Sequence, residues 1–371
     1  MGAAKTQSST SPPERRSSKK VVPGPRDPEA LQPFEGEALS SWITTLAEDR
    51  DIAVKQLLRE FHLHKHGALS MGETRLDPPV ARRISRLTGV DEQALHAMTL
   101  ARYAGNALPH LPLSPEANAK DAGQWHSSAW LCDRRIRWCP RCLRENDGRW
   151  PLRWLLPWTF ACLKHSVYLE SECQRCQSVV TFGRLNSVRP QHCDAQTADE
   201  RFRRYGYDET CDFPLAMSHP LRVRDDTVLA LQTRINEWLD GVPTVDDRQL
   251  VSLTAVLIML LSPSMLRRGD PILLFAIRSL RAPRPHQKRE LWTDPLRVAA
   301  AACAADRILE RSESAAQVAR QIADLRIVDY RVVPWELDVM DWAYGPALRP
   351  NPYLEELVKR HVITVGDFRY H

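Results

Sequence analysis

The chain has 371 residues, of which 43% are apolar and 26% charged, the balance of a folded globular protein and not of a disordered or fibrous one. A length of this order sets an expectation of several compact units, while the net charge of +5 permits contact with nucleic acid without requiring it. The most apolar run, 250–261 (LVSLTAVLIMLL), is shorter than the roughly 18 to 20 residues that cross a bilayer, so it reads as a buried helix and no membrane role is expected.

Residues 1–30 are rich in Ser, Pro, Lys and Arg and lack apolar periodicity, which predicts a flexible basic tail and no signal segment. A reducing, cytoplasmic compartment is therefore expected, and the nine cysteines need an explanation other than disulfides.

From residue 37 the pattern becomes helical. Leu39, Trp42, Ile43, Leu46 and Ala47 fall on one face of a first helix, and Val54, Leu57, Leu58 and Phe61 repeat the stripe. Asp77-Pro78 supplies an N-cap and a proline at the first helical position, opening a third helix with Val80, Ile84 and Leu87 inward. Gly89 is placed as its C-cap, and Asp91 caps a fourth helix carrying Leu95 and Met98. Two helices across a short glycine-containing turn are the local signature of a helix-turn-helix, which structural helical hairpins share. His62, His64 and His66 alternate in FHLHKHG without a cysteine or carboxylate partner and receive no metal role. Residues 109–125 read as a linker.

The cysteines follow. Cys139-x2-Cys142 is succeeded after nineteen residues by Cys162-x2-His165. Each x2 knuckle folds two ligands onto one side of an ion, and the intervening chain can form the hairpin that joins the knuckles, so this spacing predicts a tetrahedral zinc site. A second knuckle, Cys173-x2-Cys176, needs two further ligands, for which Cys193 and Cys211 are available and His192 is a rival to Cys193. Seventeen residues separate Cys193 from Cys211, an opening filled by the charged insertion AQTADERFRRYGYDET. A set of four protein ligands leaves no open position to activate water, so the two ions are expected to be structural. Trp138, Trp150, Trp154 and Trp158 are assigned to the core that such a small unit otherwise lacks. Cys132 and Cys303 are assigned as buried small apolar groups.

Beyond residue 219 the chain returns to helical patterning: Val228, Leu231, Ile235 and Trp238 form one stripe, with 250–261 and 272–280 after it. Residues 281–286 (RAPRPH) break the pattern before helices expected at 295–309 and 315–325.

Two stretches resemble the TniQ family, the target-selection proteins of a class of bacterial transposons. The first is Gly36-Glu37-Ala38-Leu39-Ser40-Ser41-Trp42-Ile43. The second runs from Trp138-Cys139-Pro140-Arg141-Cys142-Leu143 through Trp154, Leu156 and Cys162-Leu163-Lys164-His165 to Cys173-Gln174-Arg175-Cys176. The likeness spans roughly 33–240. The chain departs from the family pattern at Gln174 and Gln177, where proline and glycine are usual, and at Ser166, where glycine is usual. The resemblance implies a non-catalytic adaptor that recognises a target site, either on DNA or on an RNA-guided CRISPR effector, and recruits an AAA+ ATPase that brings the transposase.

If the N-terminal helices bind DNA, Lys55, Arg59, Arg82, Arg83, Arg86 and Arg102 are the candidates to face phosphates, against the alternative of a solvated helix surface. No H-E-x-x-H, Gly-Lys-Ser phosphate loop or G-x-S-x-G is present, and no catalytic residue is assigned. The expected fold is mainly α with small zinc-ribbon β elements. It comprises a tail at 1–30, a helix-turn-helix domain at 31–108, tandem zinc ribbons at 125–218, a helical domain at 219–282 and a C-terminal helical lobe at 283–371. Rival readings are a helix-turn-helix transcription regulator dimerising through its ribbons and a zinc-stabilised nuclease; a homodimer is left open.

Overall fold

The computed structural model describes residues 31–63, 75–104, 137–156, 158–180, 191–193, 195, 211–242, 294–314 and 317. The expectations for the tail, the 109–125 linker, His64, His66, Cys132, the helices at 250–261 and 272–280, the breaker at 281–286 and the body of the 315–325 helix lie outside them.

Among the described residues the protein is mainly helical, with one small sheet of two strands. Four helices come first: α1 (Leu39–Asp49), α2 (Val54–Glu60), α3 (Pro78–Thr88) and α4 (Glu92–Ala97). Their apolar faces meet in one core built on Trp42, Ile43, Leu57, Phe61, Ile84 and Leu95. The Trp42 and Phe61 rings lie nearly parallel with centroids 6.3 Å apart, and the Trp42 indole N–H is satisfied by the Leu31 carbonyl at 2.9 Å.

The punctuation of α3 and α4 follows the residues. Gly89 takes φ +74°, a left-handed C-cap that a side chain adopts only at a cost. Asp91 accepts from the Gln93 and Ala94 amides and so caps α4. Asp77 stands at the N-cap position of α3 with proline after it, but its carboxylate makes no capping bond and lies 4.0 Å from Arg75. The expected inward stripe of α3 is also rotated. Ala81, Ile84 and Thr88 are the buried residues, Val80 is half-buried, and Leu87 is 46% exposed. Thr88 faces inward without penalty because its hydroxyl donates to the Ile84 carbonyl at 2.8 Å.

The second core begins where the first ends. It gathers Trp138, Trp150, Trp154 and Trp158, the strands β1 (Ala161–Cys162) and β2 (Val167–Tyr168), and the helices α6 (Asp226–Leu239) and α7 (Pro295–Glu310). Between the tryptophans lies the short helix α5 (Pro140–Glu145). The β1–β2 hairpin pairs Ala161 with Tyr168 and Cys162 with Val167. On the other edge of β2, Val167 bridges to Arg222 and the following chain to Trp138 through Glu170.

Helix α6 buries Val228, Leu231, Ile235 and Trp238 as the periodicity predicts, and adds Gln232 to the same face. That glutamine is fully buried and satisfied: its carbonyl accepts the Phe160 and Ala161 amides at 2.8 and 3.0 Å, which anchors α6 on the hairpin. Asp294 caps α7 by accepting from the Leu296 and Arg297 amides, and Cys303 is buried within that helix. No helix of the described residues is long and apolar enough to cross a membrane.

Candidate metal centres

The first group is assembled from three local structures. Cys139 is the N-cap residue of α5 and Cys142 lies in that helix, held by the turn in which the Leu143 amide donates to the Cys139 carbonyl. Cys162 ends β1, and His165 sits in the turn before β2. The Cys142 and Cys162 sulfurs are 3.6 Å apart, and His165 Nδ1 lies 3.4, 3.3 and 3.5 Å from the sulfurs of Cys139, Cys142 and Cys162.

The second group is four thiols. Cys173 and Cys176 form a tight turn in which the Gln177 amide donates to the Cys173 carbonyl at 2.7 Å. Cys193 and Cys211 are brought together by a short antiparallel ladder. The Cys193 amide donates to Phe213, Cys211 to Ala195 and Asp212 to Cys193, so the two ends of the charged insertion are tied side by side. The sulfur pairs Cys173–Cys211 and Cys176–Cys193 stand at 3.7 and 3.6 Å. His192 is not in this group. It bridges to Pro214 instead, and its buried Nδ1 finds no hydrogen-bond partner among the described residues.

In each group the four ligand atoms lie within 4.8 Å of one another, and each group can hold a metal ion. The spacing fits that use: with metal–sulfur bonds of about 2.3 Å, a tetrahedron places sulfurs about 3.8 Å apart. The distances are also far too long for disulfides, and all eight described cysteines are free. The chemistry agrees. Thiols ligate as thiolates, and four of them held this close repel one another unless a cation stands between them.

Both turns carry a backbone signature. The residue after the second ligand is left-handed in each, with Ser166 at φ +49° and Gln177 at φ +58°. Both positions carry a side chain in a conformation that favours glycine, as do Asp51, His62, Asp147 and Asp212 elsewhere among the described residues.

The GEALSSW segment packs against the chain that follows α5. Gly36 takes φ +76°, which turns the chain so that its carbonyl accepts the Leu152 amide at 2.8 Å. Glu37 follows, fully buried; Arg149 donates its Nε to Oε1 at 2.8 Å and its Nη2 to Oε2. Ser41 donates to the same carboxylate at 2.8 Å and accepts the Trp150 amide at 2.9 Å. The motif is thus one half of a junction whose other half is Arg149-Trp150-Pro151-Leu152.

Residues 28–169 match the model of one protein family, TniQ. This stretch is similar to the TniQ family. It contains both halves of the Glu37–Arg149 junction and all four residues of the first group, and it ends before Cys173. A search among curated proteins finds no match.

The six basic residues singled out from the sequence are spread over three elements. Lys55 and Arg59 are exposed on α2, and Arg82 and Arg86 are exposed on α3. Arg83 is half-buried and donates Nε to the Glu60 carbonyl at 2.5 Å, which pins α3 to the end of α2. Arg102, in a 3-10 turn at Leu100–Tyr103, lies 3.6 Å from Glu35. Sequence reasoning missed Glu37, Arg149, Gln232 and Glu145. For the first pair the signal was a charged residue lodged between apolar ones within a motif.

Proposed function

We propose that the chain is a non-catalytic target-site selection adaptor of a bacterial transposition system, working in the cytoplasm. The observation that carries this is the TniQ match over residues 28–169. In this reading the division into a helix-turn-helix domain at 31–108, zinc ribbons at 125–218 and helical parts at 219–282 and 283–371 follows the sequence. Zinc is the ion of both groups, because thiolate and imidazole ligands in closed tetrahedra suit it best. Its contribution is folding free energy, with Cys139, Cys142, Cys162 and His165 holding one ion and Cys173, Cys176, Cys193 and Cys211 the other.

The adaptor recognises its target on DNA or on a CRISPR effector and recruits an AAA+ ATPase and, through it, the transposase. Lys55, Arg59, Arg82 and Arg86 support contact with phosphates, since none has an ion-pair partner among the described residues. Arg83 and Arg102 are already engaged.

The test is co-purification of the tagged full chain with an AAA+ transposition ATPase, together with DNA binding measured against salt. Recovery of the ATPase supports the adaptor. Binding to a defined palindrome as a dimer with no ATPase recovered replaces it with a transcription regulator, and cleavage of DNA on addition of a divalent ion replaces it with a nuclease. Arg82→Ala and Arg86→Ala should each lower the salt dependence of DNA binding by about one phosphate contact; an unchanged slope assigns these residues to a solvated face.

A further inference from the structure

We infer that Glu145 is the positioning residue of the first metal centre: it fixes His165 in the tautomer that presents Nδ1, and not Nε2, to the ion. The inference rests on the reading of that group as a metal site. His165 Nε2 lies 2.9 Å from Glu145 Oε1, while Nδ1 faces the three sulfurs at 3.3 to 3.5 Å. A carboxylate oxygen has only lone pairs to offer, so the proton sits on Nε2 and the lone pair of Nδ1 is left for the metal. The second Glu145 oxygen is held by Lys164 Nζ at 2.6 Å, so the carboxylate is fixed from both sides.

The placement follows from the shortness of α5. Cys139 stands at its N-cap position, Cys142 lies within it and Glu145 is its last residue, so the seven residues from Cys139 to Glu145 supply two ligands and the group that orients a third. Lys164 and His165 are neighbours in the β1–β2 turn, so one carboxylate clamps that turn onto the helix. Imidazole has two nitrogens that can ligate, and a short knuckle does not by itself choose between them; a thiolate needs no such choice. The four-thiol group therefore has no counterpart of Glu145 and serves as a control within the same molecule.

The experiment uses the zinc-loaded full chain, Glu145→Ala, Glu145→Gln and, as a surface control, Glu313→Ala. Long-range proton–nitrogen spectra of the histidine side chains should show His165 ligating through Nδ1 with a protonated Nε2. Competition with a chromogenic chelator should show one equivalent of zinc released about 10- to 100-fold more readily from Glu145→Ala, the other unchanged. Glu145→Gln, whose amide oxygen still accepts from Nε2, should recover most of the loss. Ligation through Nε2 in the unaltered protein overturns the inference, as does zinc release from Glu145→Ala that is identical to the parent. A protein that carries no zinc overturns the metal-site reading itself, which metal analysis of the unaltered chain reveals first.

Discussion

Glu37 and Arg149, 112 residues apart in the chain, form an ion pair in which the carboxylate is wholly withdrawn from water and the arginine side chain is 16% exposed. The pair joins the start of α1 to the segment that follows α5, with the Arg149 guanidinium also 5.1 Å above the Phe34 ring. Removing one partner leaves the other charged and desolvated. Arg149→Met is therefore expected to cost about 3 to 5 kcal/mol in urea unfolding, and Glu37→Gln with Arg149→Met together less than the sum of the two single changes. A loss below about 1 kcal/mol for Arg149→Met would mean that the pair behaves as a surface contact.

Burial raises the Glu170 carboxyl to about 7, with the Glu172 and Asp294 carboxylates adding to the effect and a Gln174 hydrogen bond opposing it. The folded protein keeps this proton up to about pH 7, whereas the unfolded chain releases it above about pH 4.5. The folded state thus binds more protons across that window, and its stability falls as pH rises through it. Glu170→Gln cannot ionise. Its stability advantage over the parent should grow by about 2 kcal/mol between pH 5.5 and 8; a difference that stays flat with pH would show Glu170 to be ionised throughout.

Ser166 and Gln177 occupy left-handed conformations that cost a side-chain-bearing residue about 1 to 2 kcal/mol. Part of that is offset because glycine is more flexible when unfolded, by about 0.5 to 1 kcal/mol. Ser166→Gly and Gln177→Gly should each raise stability by a few tenths to about 1 kcal/mol. Thermal unfolding of the zinc-loaded variants checks this, and a lowered melting temperature in both would contradict the strain.

The assignment of Cys193 against His192 can be settled by metal content. Cys193→Ser should lose one equivalent of zinc, while His192→Ala keeps both, because only Cys193 is among the four thiols. Retention of full zinc by Cys193→Ser together with loss by His192→Ala would reverse the assignment.

What the sequence revealed depended on how local the cause was. Gly89 and Asp91 mark the turn between α3 and α4 because backbone conformation and capping are decided within a few residues. The register of α3 was harder, since Arg83 and Thr88 can each be drawn inward by a hydrogen bond that hydrophobic spacing does not register, leaving Leu87 outside. The knuckles at Cys139 and Cys173 announced themselves by spacing. The approach of Cys193 to Cys211 did not, because it depends on a ladder between segments separated by the charged insertion. Glu145 was invisible for a related reason: its value lies in the turn that α5 happens to face.

Helix α7 is buried along almost its whole length, from Val298 through Ala305 to Ile308, in the same core as the tryptophans. A ribosome adds about 5 to 20 residues each second. On that scale about 7 to 30 seconds pass between the emergence of the first metal group, complete at His165, and that of α7, complete at Glu310. During synthesis the tryptophan-rich face meets α6 first and is closed only when α7 follows, so its core is completed late in the chain.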